Sequence, residues 1–166
     1  MTTRKLVGMM ILSVCVAAVA ACDDDSEGPD TEVFTAQLSA ANEPPINGVP
    51  VSSPATGVAR VEFTPTGITY TVNVNGQLTN TITNGGAHIH GPCVSCVSAG
   101  VVHGLNPNTA LRTGLIVQGA ATTPSNTNFS MDSLKAMIRN GAAYVNVHTT
   151  GIYAGGEIRG QLTPSN

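Results

Sequence analysis

Between Ile68 and Asn75 the chain reads Ile-Thr-Tyr-Thr-Val-Asn-Val-Asn, apolar and polar residues alternating without exception. A period of two puts every apolar side chain on one face of an extended strand, a pattern that a helix cannot bury on one side. The same alternation sets Phe34, Ala36 and Leu38 against Thr35, Gln37 and Ser39, and Ala59, Val61 and Phe63 against Arg60 and Glu62. Turn chemistry separates these runs: a Pro-rich stretch over 42–54, Pro65-Thr66-Gly67, and Asn84-Gly85-Gly86 ahead of the next strand. Further strands are expected near 87–90, 111–118, 143–149 and 157–163. One stretch, 130–141, departs from the pattern. Its apolar residues Met131, Leu134, Met137 and Ile138 follow helical spacing, with Ser130 as cap, Asp132 early, and Arg139 late before Gly141. A helix this short is held by packing, so it is expected to close one end of an all-β, two-sheet Greek-key-like β-sandwich.

The N-terminus reads as an address. Arg4 and Lys5 precede an uncharged apolar run over 6–21, which ends in Val19-Ala20-Ala21 before Cys22. The run is too short for a spanning helix. Its ending resembles the bacterial lipobox, which implies a lipoprotein signal peptide over 1–21 and diacylation of Cys22. Residues 22–32 carry six of the ten acids and nothing apolar after Cys22, so they read as a flexible tether. The domain is then 33–166, held to a membrane through the N-terminal lipid, in a bacterial cell envelope on the periplasmic or the outer side.

Charge narrows the partners. From residue 33 onward, Arg60, Arg112, Lys135, Arg139 and Arg159 face Glu43, Glu62, Asp132 and Glu157. Five scattered cations cannot form a phosphate-binding surface, so nucleic acid is excluded as a partner. The sequence also lacks a nucleophile elbow, a phosphate loop and paired catalytic carboxylates.

Six motifs carry a resemblance: Phe34-Thr35-Ala36-Gln37-Leu38 with Asn42-Glu43-Pro44-Pro45, Ala55-Thr56-Gly57, Ala87-His88-Ile89-His90-Gly91-Pro92, Tyr144-Val145-Asn146-Val147-His148-Thr149, and Gly156-Glu157-Ile158-Arg159-Gly160-Gln161-Leu162. In this order they are similar to the chordin-type CHRD domain. The resemblance implies a mostly β domain found in animal developmental regulators and in bacterial secreted or anchored proteins. It implies no reaction, and low charge with abundant Thr and Asn suits a non-catalytic module that binds a protein or polymer ligand.

Four histidines are the candidates for chemistry. In a strand His88 and His90 project from one face, and neutral imidazoles suit copper, zinc and nickel. Alternatively the pair hydrogen-bonds loop carbonyls and fixes the Gly91-Pro92 turn. His103 follows in Ser98-Ala99-Gly100-Val101-Val102-His103-Gly104-Leu105-Asn106-Pro107, and His148 in a Val-x-Val-His context. The series resembles the copper ligands of Cu/Zn superoxide dismutases, which are also β-sandwiches. No further His is present for a zinc site beside it, so the resemblance implies a single four-His copper or zinc site in place of an intact dismutase. Proton competition for such ligands is expected near pH 6.5. Cys93-Val94-Ser95-Cys96 reads first as a local disulfide in an oxidising envelope, with metal ligation and thioredoxin-type redox chemistry as alternatives. Glu157 and Arg159 read either as a structural ion pair or, for Glu157, as the group orienting His148. Glu43 before Pro44-Pro45 reads as part of a rigid turn or as an acid serving the site.

Overall fold

A computed structural model describes residues 31–165. The expected leader, the lipidation site Cys22 and the tether as far as residue 30 lie outside the described residues. Nine strands and one helix follow in chain order: β1 (Val33–Ser39), β2 (Thr56–Phe63), β3 (Ile68–Asn75), β4 (Ile82–His90), β5 (Val101–Gly104), β6 (Gly114–Ala121), α1 (Met131–Arg139), β7 (Tyr144–Thr149), β8 (Ile158–Gln161) and β9 (Thr163–Pro164). Single 3-10 turns at Ala40–Asn42 and Gly151–Tyr153 follow β1 and β7. The fold is all-β with one short helix, as the alternation requires. Its pairings run β5-β4-β7-β8-β1-β2-β3-β6, with β9 beside β1, as one antiparallel path curled around a shared core. The β8–β1 seam rests on one pair, Ser39 with Arg159, so the two halves of the path make a sandwich-like arrangement that stays joined.

The alternating residues fill that core. Phe34, Ala36 and Leu38 of β1, Ala59 and Val61 of β2, and Ile68, Val72 and Val74 of β3 are buried together. Helix α1 begins at a capping box between Ser130 and Ser133 and buries Leu134 and Ile138 completely. Each of these two side chains contributes about 1.5–3 kcal/mol of burial energy, which holds a helix too short to persist alone. Strand β7 differs from the rest. Tyr144, Val145, Asn146 and Val147 are all buried, so its second face lies under other chain segments instead of water.

Three expectations shift. Asn84-Gly85-Gly86 lies inside β4, where the ladder to β7 jumps from Ile82–Thr149 to Ala87–Val147. The glycines make this bulge possible: Gly85 has φ +70°, and a Cβ on Gly86 would stand 2.2 Å from Thr83 Oγ1 and 2.8 Å from His148 O. Residues 101–104, outside the expected strands, form the short strand β5. Strand β6 starts three residues later than expected, at Gly114, because Arg112 turns away to donate to the carbonyls of Leu78 and Thr79.

Candidate functional site

Register decides which histidines meet. On β4, His88 stands opposite Asn146 and His90 opposite Tyr144 of β7, while Ile89 stands opposite Val145 on the core side. His148 lies two residues beyond Asn146 and therefore shares the face of His88 and His90. The three rings pack with centroids 5.0–5.6 Å apart. One ligand nitrogen from each lies within 4.8 Å of the others.

His103 does not join them. It is paired with Ile89 across β4 and β5, so it projects to the opposite face, toward the core. There its Nδ1 accepts from the Ser125 N–H at 3.1 Å and its ring stands edge-on to Tyr70 at 5.5 Å. The expected four-ligand set is thus three, and the parity of strand pairing is the reason.

Backbone carbonyls fix two of the rings. Ala99 O lies 2.9 Å from His90 Nδ1, and Ala154 O lies 3.1 Å from His148 Nδ1. A carbonyl only accepts, so each Nδ1 carries the proton and each Nε2 is left with a lone pair. Those two Nε2 atoms face each other at 3.5 Å. Two facing acceptors form no hydrogen bond, and a cation between them relieves the opposition. His88 Nδ1 is also buried without a partner. His90 stacks on Tyr144 at 4.9 Å with an interplanar angle of 2°, and the Arg159 guanidinium covers Tyr144 at 4.2 Å.

Burial drives all of these imidazoles toward the neutral form. The His88 pKa is lowered to about 4, by desolvation first and then by His148 and His90. His90, His148 and His103 are lowered by burial too, with the Ala99 and Ala154 carbonyls pulling back for His90 and His148. Glu43 moves the other way. Desolvation raises its pKa to about 7, against the pull of Arg159 and a hydrogen bond from Asn146. Its Oε1 and Asn146 Oδ1 are buried without partners, and Gly156 leaves them room: a Cβ there would stand 2.5 Å from Glu43 Oε1.

These shifts set the pH dependence of stability. A histidine whose folded pKa lies below its unfolded value of 6.5 is protonated preferentially in the unfolded chain, so stability rises with pH from about 4 to 6.5. Glu43, protonated preferentially in the folded chain, opposes this between 4.5 and about 7. In Glu43→Gln, where this opposition is removed, denaturant midpoints should climb from pH 4.5 to 6.5 and then level; a midpoint that falls over this range in that variant would contradict the burial of the rings.

The remaining candidates take other roles. Cys93 and Cys96 form a disulfide with S–S 2.07 Å, so neither is a metal ligand or a free dithiol. Glu157 neither pairs with Arg159 nor orients His148. It is fully buried and accepts from Ser53 Oγ (2.6 Å), Thr79 N–H (2.7 Å) and Thr149 Oγ1 (2.6 Å). It stands one residue before β8, outside the alternation that would align it with Arg159. Arg159 donates instead to Val97 O and Cys96 O. Tyr144 and Asn146 were legible as site residues through the Tyr-x-Asn-x-His alternation; of the expected loop carbonyls, Ala99 O does hold His90, while the Ala154 carbonyl on His148 had no local signal.

An all-β domain with three imidazoles on one sheet face is the class of protein that these features define. Residues 34–162 match the CHRD domain, and the chain belongs to the CHRD family. No curated protein and no solved structure gives a significant match.

Proposed function

We propose that this is a lipid-anchored CHRD domain of a bacterial cell envelope, a binding module whose His88–His90–His148 cluster takes a copper or zinc ion. The observation that carries the metal reading is the pair of lone-pair-bearing Nε2 atoms 3.5 Å apart, each ring held in its tautomer by a carbonyl. Metal-bound histidines are oriented in this way, with the distal N–H given to a carbonyl or carboxylate. Bonds of about 2.0–2.1 Å place coordinated nitrogens roughly 3–4 Å apart, so the His90–His148 pair already has the required spacing. Neutral imidazoles without a thiolate favour Cu(II) or Zn(II) over Mg or Ca.

Calorimetric titration of the purified domain tests this reading. Cu(II) or Zn(II) should bind at one equivalent, and His88→Ala, His90→Ala and His148→Ala should each weaken binding at least ~100-fold. His103→Ala should leave affinity unchanged. Because burial lowers the ring pKa values, proton competition should begin well below 6.5. Affinity no tighter than about millimolar, or indifference to all three substitutions, sinks the reading.

The membrane part has its own test. Cys22→Ala should abolish metabolic labelling with palmitate, since nothing else in the tether holds a bilayer. Normal labelling of that variant would refute the anchor.

A further inference from the structure

The segment between β4 and β5, residues 91–100, lies against the imidazole site yet buries little of itself. Val94 and Val97 are 70% and 73% exposed, and Ser95, Cys96 and Ser98 are exposed as well. Apolar packing therefore does not hold it. Its ends pair through Gly91 N–H and Gly100 O at 3.1 Å. The sheet then supplies hydrogen bonds to its backbone: Arg159 donates to Val97 O (2.9 Å), Gln161 Nε2 donates to Cys93 O (2.8 Å), and Tyr144 Oη accepts from Ala99 N–H (3.1 Å). The Cys93–Cys96 bond is the covalent cross-link within this loop. Ala99, fixed in this way, presents the carbonyl that holds His90 Nδ1–H.

We infer that the 91–100 loop is the positioning element of the imidazole site, and that its disulfide makes the site sensitive to thiols. The inference rests on the metal reading above and names how that site is regulated. Cys96 is exposed, so a thiolate can attack its sulfur and release Cys93 as a thiolate. A second thiolate from the reductant then resolves the mixed disulfide. The net change is two electrons and two protons from a pair of small thiols, or from one dithiol, to the two cysteines, and the reductant leaves as its disulfide. What remains of the loop is held by separate hydrogen bonds, exposed at Arg159, part-buried at Gln161 and Tyr144, with Cys93 N–H on Ala142 O, each of modest net strength. Ala99 O no longer stays on His90 Nδ1, the ring samples both tautomers, and Nε2 ceases to present a constant lone pair toward His148. Loss of an outer hydrogen bond of this kind lowers metal affinity about 10–100-fold.

The test compares oxidised protein with protein reduced, alkylated at both cysteines and freed of reductant. Zn(II) is the probe, because thiols reduce Cu(II). Nitrogen-15 NMR of the imidazoles, recorded without metal, should show His90 fixed as the Nδ1–H tautomer when oxidised and mixed after reduction. Zinc affinity should fall 10–100-fold. The double variant Cys93→Ser, Cys96→Ser should reproduce both effects, which removes the alkyl groups as a cause; dispersed amide spectra confirm that each form is folded. An unchanged His90 tautomer, or zinc bound with equal affinity in the two states, overturns the inference. Tautomer mixing on reduction with no zinc binding in either state would overturn the metal reading while supporting the loop's hold on His90.

Discussion

Glu157→Ala should destabilise the domain by about 3–5 kcal/mol, the scale seen when a buried charged group is removed from its hydrogen-bonding partners. The carboxylate is fully buried, and no cation sits beside it among the described residues. Three donors converge on it from distant points in the chain, the Ser53 hydroxyl, the Thr79 amide and the Thr149 hydroxyl. Alanine leaves all three facing a cavity. The buried Thr149 hydroxyl loses its acceptor outright, at about 1–3 kcal/mol, and the part-buried Ser53 and Thr79 donors add smaller costs to that of the cavity. Glu157→Gln keeps the shape but turns an amide N–H toward a donor, so it should cost less, about 1–3 kcal/mol. The chain has no tryptophan, so urea titrations followed by circular dichroism are the suitable measurement. Equal midpoints for wild type and Glu157→Ala would show that the carboxylate does not tie these segments together.

A second large loss is expected at Gly160. A Cβ there would stand 2.2 Å from Gln37 O and 2.7 Å from Gln37 C, both backbone atoms of β1. No rotamer relieves a clash with main chain, and this one falls at the β8–β1 seam where the two halves of the sheet join. Gly160→Val should cost about 3 kcal/mol or more, either by separating the seam or by shifting β8. Gly155→Ala, with nothing within 4 Å, is the matched control and should be nearly silent. Comparable midpoints for the two variants would mean that the seam tolerates a side chain.

The alternation of Ile68–Asn75 and the capped spacing of α1 were enough to place β3 and the helix, because both signals are local. The His88–His90 pair was legible for the same reason. Pairing does bring His148 across to His88 and His90, but it places two other candidates elsewhere. His103 carries the same chemistry as its neighbours, but the Ile89–His103 register sends it to the other face, and no local pattern encodes which residue of β5 meets which of β4. Glu157 was read against Arg159 two residues away, whereas its partners come from the segments at 53 and 79 and from β7. The Asn84-Gly85-Gly86 signal was real, but a strand bulge and a turn call on the same residues.

The burial of both faces of β7 separates two opening motions. Its amides are paired to β4 on one side and β8 on the other, so hydrogen exchange there requires unfolding of the whole domain. The exposed 91–100 loop has no such protection and should exchange by local opening at far lower free energy. Asn146 and Val147, paired on both sides, should thus exchange on the slow timescale of global unfolding, while the contact that orients His90 should turn over on the fast one. If the imidazoles hold a metal as proposed, that metal should therefore exchange many times within the lifetime of a single folded molecule.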